Sequence, residues 1–182
     1  MHARHLALCL TLLLAMSSYA FAGISAEPFA GYAAGEWRQS ATSAKFSGAD
    51  YGLRLGWDFG NVCFGGSFLT GTMTDSASPI LNKIVPQDIG AFISFEISPV
   101  TVRGGYGFAS QGTFTPSSGS ANTWKGTSVN AGLGFIVVDH VSLNIDYVAA
   151  TYDTLNGSSA ASKMTNNTFV FGVSFPFEFG GK

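Results

Sequence analysis

Asp50-Tyr51-Gly52-Leu53-Arg54-Leu55-Gly56-Trp57-Asp58-Phe59, DYGLRLGWDF, decides the fold. Tyr51, Leu53, Leu55, Trp57 and Phe59 alternate strictly with Asp50, Gly52, Arg54, Gly56 and Asp58. Successive side chains of a strand point to opposite faces, so this segment has one bulky apolar face and one small or charged face. The period is two, not the 3.6 of a helix.

The same division recurs on both sides of this stretch. Ile89, Ala91, Ile93, Phe95 and Ile97 stand against Gly90, Phe92, Ser94 and Glu96. Val129, Ala131, Leu133, Phe135 and Val137 stand against Ser128, Asn130, Gly132 and Gly134. Phe169, Phe171, Val173, Phe175, Phe177 and Phe179 stand against Thr168, Gly172, Ser174 and Glu178. Weaker alternation marks residues 25–37, 62–71, 100–109 and 141–151, which makes eight predicted strands. The connections run long, short, long, short along the chain. The long ones, at about 38–48, 72–86, 110–124 and 152–166, are rich in Ser, Thr, Asn and Gly. The short ones, Gly60-Asn61, Ser98-Pro99 and Asp139-His140, carry turn chemistry. Tight turns make antiparallel hairpins. Strict alternation of connection length places the two ends of the sheet in different surroundings, as in outer-membrane barrels with short periplasmic turns and longer extracellular loops.

Composition decides which face is out. Charged residues make up only 11% of the 182-residue chain, whereas ordinary soluble domains carry roughly 25%. A soluble carrier barrel would hide its aromatics and clothe the other face in Lys and Glu, yet that face is mostly Gly, Ser, Thr and Asn. The apolar face carries no charge in the four clearest strands, as a hydrocarbon band requires. A strand such as 51–59 also matches the ~9–11 residues that cross a bilayer at a tilt. The expected fold is therefore all-β: an eight-stranded antiparallel up-and-down transmembrane barrel with four longer extracellular loops.

An export signal precedes it. Arg4 begins a short basic start, LALCLTLLLAM (residues 6–16) forms an apolar run too short to span a bilayer, and Ala20-Phe21-Ala22 supplies a cleavage pattern before Gly23. The division expected is a leader over 1–22 and a barrel over 23–182. The mature chain carries 8 basic and 11 acidic residues, a formal charge of −3, with no electrostatic footprint for nucleic acid. Cys9 leaves with the leader, so Cys63 has no intramolecular partner and reads as a small buried hydrophobe. His140, the remaining histidine, has no second ligand at metal-binding spacing. No metal or cofactor is expected.

The chain resembles the small eight-stranded outer-membrane proteins, the group holding the OmpA transmembrane domain and the OmpX/Ail and OmpW families. The most specific match is Gly172-Val173-Ser174-Phe175-Pro176-Phe177, which is similar to the terminal assembly signal of that class. Two departures stand out: Pro176 sits inside the strand, and Glu178-Phe179-Gly180-Gly181-Lys182 continues past the usual final aromatic. The resemblance implies a bacterial outer membrane, contact with its lipid and lipopolysaccharide, and insertion by the outer-membrane assembly machinery through the C-terminal strand. It transfers no catalytic residue.

Three groups of residues are candidates for function. Arg54, Asp58, Glu96, Arg103, Asp146 and Glu178 fall on the inward face and form an expected lumen charge network, in which buried charges must pair. Ile80, Leu81, Ile84 and Val85 form an apolar patch in the second long loop, suited to a partner, a lipid or packing over the rim. Trp57, Phe59, Phe177 and Phe179 toward the short turns, with Trp37, Tyr51, Tyr106 and Trp124 toward the long loops, read as interfacial belts. The favoured function is a non-enzymatic, monomeric envelope protein whose charge-plugged lumen is narrow and whose loops meet an unknown extracellular partner. A narrow OmpW-like channel stays open as an alternative, disfavoured by the inward charges. A lipid-modifying enzyme also stays open, disfavoured because His140 falls in a periplasmic turn.

Overall fold

A computed structural model describes residues 23–75, 82–116 and 120–179. The expected leader, residues 1–22, lies outside the described residues, as do Ile80 and Leu81 of the proposed loop patch. Strands β1 (Gly23–Gln39), β2 (Thr42–Asp58), β3 (Val62–Asp75), β4 (Asn82–Ile97), β5 (Val100–Pro116), β6 (Asn122–Val138), β7 (Val141–Leu155) and β8 (Ser158–Ser174) follow one another in antiparallel pairing. β1 pairs with both β2 and β8, which closes an eight-stranded barrel without a free edge. A short β9 (Phe177–Phe179) continues β8 after Pro176 and pairs with Ile24–Ala26 of β1. Proline lacks the N–H a ladder needs. The interruption therefore sits at Phe175-Pro176, where the Phe175 N–H still donates to the Pro28 carbonyl at 2.9 Å.

One end of the barrel gathers Gly23, β9 and the connections at residues 59–61, 98–99 and 139–140. We call it the terminal end, and the other the far end. Gly60 and His140 adopt positive φ at 73° and 65°, the left-handed conformation such tight turns require. His140 also fixes the last strand: its Nδ1–H donates to the Pro176 carbonyl at 2.9 Å and its ring stacks on Phe177.

The far-end connections are shorter than expected. The segment 38–48 is a hairpin whose strands meet at Ser40-Ala41, and 152–166 is a hairpin closed by Asn156-Gly157. Most of 72–86 and 110–124 is likewise strand, up to Asp75 and Pro116 on one side and from Asn82 and Asn122 on the other. The reason is hydrophobic context. These segments are polar where they face outward, so they carry no lipid-type alternation, yet their backbones continue the same ladders.

Strands of 14 to 17 residues are longer than a bilayer needs. The exposed bulky apolar residues stop toward the far end at Tyr32, Tyr51, Phe68, Ile89, Phe108, Val129, Tyr147 and Phe169. Beyond them the strands overhang, and the pattern turns inside out. In the banded part the wall is apolar outside and polar inside. In the overhang the apolar residues point inward: Trp37, Phe46, Met73, Ile84, Trp124, Tyr152 and Met164 form one buried cluster, with Phe114 and Leu155 packed on it. The change follows the surrounding solvent, lipid around the band and water around the overhang.

Candidate functional site

The lumen of the banded part is crossed by four charges from four strands. Arg54 on β2 donates from Nη1 to Glu27 Oε1 at 3.2 Å and from Nη2 to Asp146 Oδ2 at 3.1 Å. Arg103 on β5 donates from Nη1 to the same Glu27 oxygen at 3.0 Å. Its Nε lies 3.7 Å from Asp146 Oδ1, an ionic contact rather than a hydrogen bond. Because β1 and β5 stand on opposite walls, the Arg103–Glu27 bridge spans the barrel. Two cations and two carboxylates balance, which is the condition under which charges are tolerated out of bulk water.

Neutral groups brace this cluster. Arg103 Nη2 also donates to Asn144 Oδ1, and Asn144 Nδ2 donates to Ser174 Oγ at 2.7 Å. The Arg54 guanidinium lies 4.3 Å from the centre of the Phe29 ring, so its face is covered by a cation–π contact. Both arginines are buried, at 8% and 7% exposure. The cavities around them measure about 80 Å³ on the terminal side and 40 Å³ beside Phe29 and Phe92. Such spaces hold a few waters.

Of the lumen charges singled out from sequence, the fold brings together Arg54, Arg103 and Asp146. Asp58, Glu96 and Glu178 form no ion pair with them among the described residues, but line the same terminal-end cavity as Glu27, Arg54 and Arg103. Ser94 does face Arg103 in the ladder, but the guanidinium turns away from Glu96 to Glu27 and Asp146. Glu27 was missed because β1 alternates weakly. Asp50 and Asp88 were missed although they share parity with Arg54 and Glu96. Asp50 is buried toward the far end, and Asp88 accepts hydrogen bonds from Ser110 and Ser128. Cys63 is corrected: expected as a small buried hydrophobe, it is half-buried on the lumen side, 3.1 Å from Ser25 Oγ.

The aromatic set divides. Tyr51, Trp57, Phe59, Tyr106, Phe177 and Phe179 are exposed on the outer wall. Trp37 and Trp124 are not: at 5% and 4% exposure they point into the far-end cluster, where Trp37 stacks on Tyr152 at 5.2 Å between centroids. Ile84 is corrected for the same reason, since it is 2% exposed inside the barrel, and Val85 is half-buried in β4 rather than in a loop. All three corrections come from the inversion of the pattern above the band. Parity held the signal: Trp124 lies four residues from inward Ser128, and Ile84 six from inward Gly90.

Above the ion-pair cluster the lumen opens toward the far end into a cavity of about 570 Å³. Trp37, Phe46, Ile84, Phe114, Trp124, Leu155 and Met164 form its apolar wall, and Gln39, Ser40, Thr42, Ser43 and Asn122 its polar rim.

Comparison with known proteins points one way. A family model described as an outer membrane protein β-barrel domain matches residues 6–177. Among solved structures, Neisserial surface protein A is similar, with 20% identity, a TM-score of 0.63, and coverage of 85% of this chain and 97% of that one. Ail, the attachment invasion locus protein of Yersinia pestis, is similar at 20% identity and a TM-score of 0.60, over 85% of this chain and 99% of that one. The same protein in complex with the heparin analogue sucrose octasulfate gives 19% identity, a TM-score of 0.59 and the same coverage. At such identities the likeness is one of fold. No curated protein matches the sequence significantly.

Proposed function

The chain belongs to the outer membrane protein β-barrel domain family, and from that premise we propose that it is a non-enzymatic, non-conducting barrel of the bacterial outer membrane that serves envelope structure and surface contact. The observation that carries the reading is the Glu27–Arg54–Asp146–Arg103 cluster, which joins opposite walls and leaves only water-sized gaps beside it. An ion moving through would have to part charges that neutralise one another. The test is conductance in planar bilayers. The native barrel is expected to give a silent trace, and a stable open level would overturn the proposal and favour the narrow-channel alternative. Lipid chemistry finds less support: His140 sits at the terminal end, hydrogen-bonded to Pro176, away from the overhang.

Surface contact has its own support. Arg38, Lys45, Lys83, Lys125 and Lys163 are exposed, each four to six residues past the edge of the apolar band on its strand. Glu36, Asp75 and Asp153 share that end, so the described overhang has a net cationic collar at headgroup height. Such a collar suits anionic groups: the phosphates of lipopolysaccharide, or a sulfated glycan of the kind bound to Ail in the solved complex. The collar supports surface contact at the strand overhang in preference to the apolar patch around Ile84. Lys83→Gln, Lys125→Gln and Lys163→Gln combined should cut by roughly half the gain in Tm that lipopolysaccharide gives the barrel in neutral vesicles. An unchanged gain would remove the collar from the proposal.

A further inference from the structure

Closing a barrel sets its last strand beside its first, and here that join lapses for two residues. The pairing of β1 with β8 runs from Gln39↔Met164 to Phe29↔Ser174, then resumes in β9 from Ala26↔Phe177 to Ile24↔Phe179. The register is the same on both sides of the gap, so Glu27 and Pro28 stand beside Pro176 and Phe175. Prolines account for the lapse. Opposed residues of an antiparallel pair can exchange two hydrogen bonds. The Phe175 N–H donates to the Pro28 carbonyl at 2.9 Å, but Pro28 has no N–H to return the bond. On its other side β1 is continuous, with Glu27↔Arg54 and Pro28↔Leu53 in the ladder to β2.

Side chains gather where the backbone ladder is missing. Glu27, on the β1 side of the gap, accepts from Arg103 Nη1 across the lumen at 3.0 Å. Ser174, the last residue of β8 before the gap, is fully buried, and its Oγ accepts from Asn144 Nδ2 at 2.7 Å. Asn144 Oδ1 in turn accepts from Nη2 of the same Arg103. One guanidinium therefore reaches both sides of the join, β1 directly and β8 by way of Asn144. Beyond the gap, His140 Nδ1–H holds the Pro176 carbonyl at 2.9 Å. A plug needs only balanced charges in the lumen, on whichever strands they sit. These converge on the two edges of the seam, and hydrogen bonds from a buried cation are the strong kind. We infer that Arg103 is the clasp of the closing seam, holding β1 and β8 together at the stretch where their backbones do not. Its loss loosens the wall between those two strands and leaves the other ladders as they are.

Amide hydrogen exchange, read residue by residue with NMR on the barrel in lipid nanodiscs, tests this. In Arg103→Ala the amides of residues 24–29 and 174–179 should exchange faster than in the native barrel by roughly tenfold or more. Those of residues 62–68 and 89–95, paired in the β3–β4 ladder toward the same end, should stay within about twofold. Adding Pro28→Ala returns the missing N–H and should slow the seam amides again by roughly three- to tenfold, the worth of one hydrogen bond. Should Arg103→Ala fail to insert, Ser174→Ala takes its place: it cuts the β8 arm alone and should speed exchange over 174–179 without touching the β3–β4 ladder. Acceleration spread evenly around the barrel would make Arg103 an ordinary stabilising residue and overturn the inference. A seam that does not change would overturn it too, as would a loosened seam that Pro28→Ala fails to slow. Conductance reports on the plug and exchange on the seam, so the two proposals fail separately.

Discussion

Removing one arginine from the lumen leaves two carboxylates sharing a single counter-charge. Glu27 is held by both guanidinium groups through a single oxygen, so it depends on each. Arg103→Ala strips Glu27 and Asp146 of half their compensation and leaves the Asn144 carbonyl without its donor. Breaking a buried pair in this way costs about 3 kcal/mol. Urea unfolding of the vesicle-inserted barrel, followed by tryptophan fluorescence, should show a loss of that order. Arg103→Lys should recover only part of it, because an ammonium cannot reach several acceptors in a plane. Three of the cluster's four members, Arg54, Arg103 and Asp146, were legible in the sequence. Arg54 and Arg103 stand out as charges on an otherwise small-residue face, but Glu27 lies in a strand, GISAEPFAG, where Pro28 and small residues blur the alternation. Parity identifies which residues share a face. It does not say which of them a long side chain will choose.

At the scale of the element, the β7–β8 hairpin shows a signal that was present and outweighed. Asn156-Gly157 is the dipeptide favoured in tight hairpins, and both residues adopt positive φ, 50° and 87°. The polar residues around it suggested a long loop instead. Asn156 also ties the turn to β6, since its Oδ1 accepts the Thr123 N–H at 2.8 Å and its Nδ2 donates to Asn122 Oδ1 at 2.9 Å. Gly157→Ala must place a Cβ in the left-handed region and should cost about 1 kcal/mol, read as an earlier midpoint in the same urea series. The band segments were legible because lipid demands apolar residues at every second position. The overhang was not, because an aqueous exterior permits Ser, Thr, Lys or Asn there and leaves the small apolar core as the sole pattern. That core is carried by single residues such as Phe46, Met73 and Ile84, too few per strand to show a period.

The whole molecule is two barrels in one ladder, each obeying the solvent around it. The lower one resists unfolding by closing its strands within lipid, and the upper one by an ordinary hydrophobic core of tryptophan, phenylalanine and methionine. Proteases need an extended segment that can leave its neighbours. Trypsin added to the outside of vesicles should therefore spare Arg38, Lys45, Lys125 and Lys163, which are exposed but paired in strands. Cleavage at any of them, mapped by mass spectrometry, would show that the overhang opens.

The tight hairpin tips carry a consequence for anyone who would display a foreign peptide on this scaffold. At Ser40-Ala41 and Asn156-Gly157 the turn holds two strands of the overhang in register. A guest sequence there must either bring its own hairpin geometry or pull apart the wall around Trp37 and Tyr152. Both of these far-end tips are thus refractory to insertion, each because of the backbone geometry of two adjacent residues.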